Sequence, residues 1–188
     1  MLANQGQIRL TQKGRLPIKV VTELYNQGFV KHYYVEKKYV KIFREDYVSS
    51  AYFTRIFTSK AGLVKKRGNK LSLTAKALKI LDNNKLLFET ILDTFFRKYT
   101  WTEMDTHLDK AIGRYGFIFS LALLGKYGQQ PRSEELYADN YFQAFPELLL
   151  EPLEPEWLLR GAYTYRTFDI FMTYFGVAEV LRQSFSTP

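Results

Sequence analysis

The chain has 188 residues, 46% of them hydrophobic and 16% aromatic, with no cysteine. Without thiols it has no disulfide, no thiolate zinc or iron–sulfur site and no cysteine nucleophile, which fits a reducing cytoplasm. Its net charge of +8 is unevenly spread: residues 1–85 hold 18 Lys or Arg against 5 Asp or Glu, a balance of +13, and residues 86–188 hold 9 against 14, a balance of −5. A basic half joined to an acidic half points to a polyanionic partner for the first half, or to attraction between the halves.

In chain order, Gln7–Thr11 alternates around Ile8 and Leu10 as a short strand does. Leu16-Pro17 opens a helix over about 16–27, with Ile18, Val21, Leu24 and Tyr25 at helical spacing and Gly28 as its stop. Phe29–Phe43 is rich in Val, Tyr, Phe and Ile and reads as strand by propensity, with a turn at Glu36-Lys37-Lys38. Glu45 or Asp46 is placed to cap a helix carrying Val48, Tyr52, Ile56 and Phe57, which Gly62 ends. Leu63-Val64 and Leu71–Thr74 flank a polar turn containing Gly68-Asn69. Thr74 then caps Ala75–Leu81.

The second half reads as helical. Leu86–Tyr99 has one apolar face. Ala111–Lys126 is apolar nearly all round, as a buried helix is. Glu134–Phe145 is a further helix, ended by Pro146. Glu151–Pro155 reads as a linker, and Tyr163–Gln183 as a long aromatic helix interrupted at Gly176. A boundary is expected near 82–86, giving a basic domain over 1–84 and an acidic, mainly helical domain over 85–188. The fold class is then α+β, mostly helical. There are two short echoes: Leu10-Thr11-x-Lys13 matches Leu73-Thr74-x-Lys76, and Ile56-Phe57…Gly62 matches Ile170-Phe171…Gly176, the second hinting at a related, degenerate unit in the C-terminal half. Phe117–Leu124 is too short to span a bilayer, and Met1–Gly14 lacks the apolar core of a signal peptide, so no membrane association and a cytoplasmic setting are expected.

Ile56–Thr74, IFTSKAGLVKKRGNKLSLT, resembles the end of a winged-helix domain, with a recognition helix followed by a basic hairpin. The resemblance implies a winged-helix-like N-terminal unit that binds DNA. The helix would sit in the major groove and the hairpin against the backbone. Only one clear helix precedes the candidate recognition helix, where the family has two.

Phosphate contact requires cations on an element that reaches the backbone, and Lys65, Lys66, Arg67 and Lys70 at the hairpin meet that need. On the helix, Arg55 and Lys60 are the cationic candidates, with Arg55 suited to guanine. Lysines interleaved with Tyr33, Tyr34, Tyr39 and Phe43 would suit a single strand, or an ordinary sheet face. Glu103 and His107, four residues apart, would meet on one helix face, but no second ligand pair accompanies them. Glu134-Glu135 and Glu151/Glu154/Glu156 are the candidate paired acids. No nucleophile elbow, phosphate loop or dinucleotide fingerprint is present, so no enzyme activity, metal or cofactor is expected. The expected function is nucleic-acid binding, by a transcriptional regulator or an accessory DNA-binding protein. The alternative is a protein-interaction module or homo-oligomer, suggested by the aromatic helices around 91–99 and 163–175.

Overall fold

The computed structural model describes residues 6–28, 30–42, 44–108, 111–150 and 154–181. Expectations touching Phe29, Phe43, Glu151 and Gln183, and the side chains of Tyr33 and Tyr34, lie outside what is described. The fold is α+β and mostly helical, with one three-stranded antiparallel sheet. It divides into two compact units, residues 1–99 and 100–188.

The first unit opens with strand β1 (Gln7–Arg9), followed by α1 (Ile18–Gln27) and the single helical turn α2 (Tyr33–Glu36). Helix α3 (Ser49–Lys60) leads into the hairpin β2 (Val64–Arg67) and β3 (Lys70–Leu73), then α4 (Ala75–Ile80) and α5 (Asn84–Arg97). The sheet order is β1-β3-β2, so the N-terminal strand lies against the hairpin's second strand. Period-two alternation turns Ile8, Val64, Leu71 and Leu73 toward a core shared with Val21, Tyr25, Val48 and Ala51.

The hairpin turn is two residues long, with Gly68 at φ 55° in its first central position, where a left-handed backbone matches the twist of the strands. Asn69 ties the turn to β1. Its carbonyl accepts from Leu10 N–H at 2.8 Å, and its side-chain amide donates back to the Leu10 carbonyl at 2.9 Å. Thr74 caps α4 by accepting from Ala77 N–H at 3.1 Å, and Asn83 caps α5 by accepting from Leu86 N–H at 3.0 Å.

Several expectations are corrected. Among the described residues of 30–42 there is no strand. The chain instead closes a helical turn in which Val35 and Glu36 donate to the His32 carbonyl at 3.0 Å, while Tyr25 OH donates to Glu36 Oε1 at 2.8 Å. Strand propensity requires a partner strand, and here local bonds take the backbone first. The turn at 37–38 is present, with Lys38 at φ 59°. Neither Glu45 nor Asp46 caps α3, whose N-cap is Val48 with no side-chain bond. The first compact unit also runs past the expected 82–86 boundary. On α5 and just beyond it, Phe95 and Tyr99 stack into a ring cluster with Phe53 and Phe57 at centroid distances of 4.5–5.8 Å.

The second unit contains α6 (Phe117–Tyr127), α7 (Glu134–Ala144) and α8 (Glu156–Thr164), which continues as a π-helix over Tyr165–Met172. Its described residues include no strand. Helix α6 starts only after Gly113 and Gly116, at φ 81° and 69°, break the expected helix over 111–126. It is not buried all round: Ser120 and Leu123 are buried, while Ile118 is 69% exposed. The core is aromatic, with Tyr141 stacked on Tyr163 at 4.1 Å and Tyr137 against Phe168 at 5.0 Å.

The second echo has a local explanation. Gly62 at φ 70° donates to the Ser59 carbonyl at 3.0 Å, and Leu63 to the Thr58 carbonyl at 2.9 Å. Gly176 at φ 66° donates to the Thr173 carbonyl at 3.1 Å, and Val177 to the Met172 carbonyl at 2.7 Å. Both are the same left-handed helix-ending motif, for which glycine is the favoured residue. In the first unit a strand follows the cap; in the second, residues 178–181 are irregular.

Candidate nucleic-acid interface

The strand register decides where the cations of the first unit sit. Lys70 on β3 pairs with Arg9 on β1 and with Arg67 on β2, so Arg9, Lys70 and Arg67 form a row straight across the sheet. With strands about 4.8 Å apart the row spans roughly 10 Å. In the next row on the same face, Ser72 separates Gln7 from Lys65. Arg9, Lys65, Arg67 and Lys70 are exposed, and among the described residues none is paired with a carboxylate. Like charges directly opposite one another destabilise a sheet. This face therefore carries charge that does nothing for the fold.

Lys66 faces the other way. It shares a side of β2 with Val64, and its Nζ lies against Gly14, 3.0 Å from where a Cβ on that glycine would be. Arg55 is also separate from the row. Its Nε donates to Glu45 Oε1, Glu45 is 1% exposed, and Glu45 Oε2 accepts from Leu16 N–H at 2.9 Å. Arg55 thus joins α3 to the start of α1 through one buried carboxylate, which accounts for Glu45 being inside. Lys60 lies in the last turn of α3, half-buried. Of the six predicted residues, the structure brings together Lys65, Arg67 and Lys70, and adds Arg9. The alternation around Ile8 and Leu10 already pointed Arg9 away from the core, but its pairing with β3 is non-local and had no sequence signal.

Arg15 and Arg44 are held by Asp46, at 3.2 and 2.7 Å. Slight burial would raise the Asp46 carboxyl, but the two guanidiniums outweigh it and hold the group below the ordinary aspartate value. His32 sits between Tyr25, whose ring it stacks on at 6.0 Å, and Ser49 Oγ, 3.0 Å from its Nε2. Burial lowers its pKa, so the neutral ring is the form that fits between α1 and α3.

The remaining candidates disperse. Residues Trp101–Met104 form a single 3-10 turn that ends at an extended Asp105, so no helix presents Glu103 and His107 together. His107 Nδ1 instead lies 3.5 Å from Glu154 Oε1, and Glu154 Oε2 accepts from Leu108 N–H at 2.8 Å. Glu156 pairs with Arg160 at 2.8 Å. No cluster of three metal-ligating side chains occurs among the described residues. Arg166, 1% exposed, makes a two-pronged bond to Asp105 at 2.7 and 3.0 Å and donates to the Ile112 carbonyl at 3.0 Å. That arrangement joins three segments of the second unit and leaves the pair neutral.

Comparison with protein-family models, with curated proteins and with solved structures finds no match. Among the described residues, no helix is long and apolar enough to cross a membrane.

Proposed function

We propose that the chain is a nucleic-acid-binding protein that grips phosphate with the outer face of its three-stranded sheet. The observation that carries this reading is the row Arg9–Lys70–Arg67, whose like charges oppose the fold and meet no acid among the described residues. The winged-helix resemblance supports it further: the short helix Tyr33–Glu36 lies between α1 and α3, where the sequence had suggested no helix. Because Arg55 is committed to Glu45, α3 offers little to read bases with. The role proposed is therefore a phosphate-gripping accessory protein in preference to a sequence-reading regulator.

The test is duplex binding across a salt series. Affinity should fall steeply with salt, with log K falling against log salt by about 0.9 per phosphate engaged. Replacing Arg9, Arg67 and Lys70 together by Gln should reduce that slope by roughly 3 while leaving the unfolding transition in place. Absence of binding at low salt, or an unchanged slope in the triple variant, overturns the reading.

A second reading rests on the second unit, where Trp157 and Ile118 are 70% and 69% exposed. Exposed aromatics favour association with proteins. The helices first singled out for this role are a poorer basis, since Phe95, Tyr99, Tyr163, Phe168 and Phe171 are all buried.

A further inference from the structure

Beneath the cationic sheet lies an apolar cleft of about 250 Å³. Its walls come from α1, α3, the inward face of the strands, α4 and α5, all within the first unit. Leu71, Ala77, Leu87 and Ile91 supply hydrocarbon, and Thr54 and Thr58, one turn apart on α3, supply a polar edge.

Protein interiors are close-packed, and spaces much larger than a water molecule are few. This one is open to solvent on one side, and its mainly apolar wall offers water few of the two to four polar partners it needs. At about 30 Å³ per water in the liquid, the cleft is matched by a molecule on the order of ten non-hydrogen atoms.

The polar edge narrows the chemistry. Thr54 Oγ1 donates to the Ser50 carbonyl at 2.8 Å, and Thr58 Oγ1 donates to the Thr54 carbonyl at 2.7 Å. With their protons committed to the helix, both hydroxyls offer a ligand only lone pairs. Arg55 also lines the cleft, but its charge is matched by Glu45, so there is no net charge to draw in an anion.

We propose that the first unit binds a small, neutral, mainly apolar molecule bearing one hydrogen-bond donor, of the medium-chain alcohol type. Its hydrocarbon packs against Leu71, Ala77, Leu87 and Ile91, and its hydroxyl donates to Thr54 or Thr58. This site stands independently of the nucleic-acid reading.

The experiment is a titration of the full chain, with labelled Ile, Leu and Val methyl groups, by 1-octanol followed by NMR. Leu71, Leu87 and Ile91 should shift saturably, while Leu159 and Ile170 of the second unit stay in place. Ala77→Leu, which fills the cleft, should weaken binding at least about tenfold, and Thr58→Val a few-fold through the lost acceptor. If Ala77→Leu does not fold, Leu87→Phe blocks the same space and should also weaken binding at least about tenfold. Three results overturn the proposal: no saturable shift, equal movement of the second unit's methyls, or undiminished affinity in a folded cleft-filling variant.

Discussion

The two units handle charge in opposite ways. In the first, four cations stand exposed on a sheet and a buried glutamate meets an arginine that remains 23% exposed. In the second, both members of the principal ion pair are inside, Arg166 at 1% and Asp105 at 7% exposure. The first unit leaves charge unmatched on its surface, while the second uses charge to fasten irregular segments to a π-helix. Exposed, unmatched charge is available to a partner. Buried, fully bonded charge is a structural fastener, since removing one member strands the other away from water.

The largest expected effect tests that contrast directly. Arg166→Met should cost about 3–5 kcal/mol of second-unit stability, because Asp105 is left buried without its cation. Glu45→Gln should cost less, about 1–3 kcal/mol, because Arg55 can turn to water. Hydrogen exchange resolves the two units separately. Equal losses, or the reverse order, would break the distinction between a pair with both members buried and one with an exposed arginine.

A smaller effect compares the two helix ends. An added Cβ meets nothing within 4 Å at Gly62 or Gly176, so Gly→Ala at either carries only the cost of a left-handed backbone. Each should lose about 1–2 kcal/mol, by urea unfolding, and the two losses should match. Unequal losses would mean that the echo reflects more than a shared cap.

The smallest effect is the most telling for function. Lys70→Thr removes the middle cation of the row, relieves two like-charge oppositions and adds a β-branched residue. It should stabilise the sheet by a few tenths of a kcal/mol and weaken duplex binding. A change that improves folding and impairs binding is the mark of charge kept for a partner. If Lys70→Thr destabilises the sheet instead, the row contributes to the fold.

Much of the first unit is legible in its sequence because its signals are short-range. Pro17, Gly28, Gly62, Gly68 and Thr74 each act on the next few peptide groups, and the elements they bound are close to those expected. The stretch 30–42 misled because β-branched and aromatic residues favour a strand only when another strand is there to pair with, whereas His32 and Tyr25 were near at hand to close a turn. The apolar run before Tyr127 misled in a similar way: composition predicted burial, but two left-handed glycines delayed the helix and Ile118 faces out.

Sequence alone determined the segregation of charge, the basic hairpin and the helix ends marked by Gly28, Gly62 and Thr74, since each of these depends on a residue and its immediate neighbours. Only the tertiary structure decided that β1 pairs with β3, which brings Arg9 beside Lys70 across about 60 residues of chain. It also decided that Glu45 captures Arg55 and so separates it from the exposed cations of the sheet. Both outcomes follow from register and burial, which arise when distant segments share one core and which no local pattern encodes.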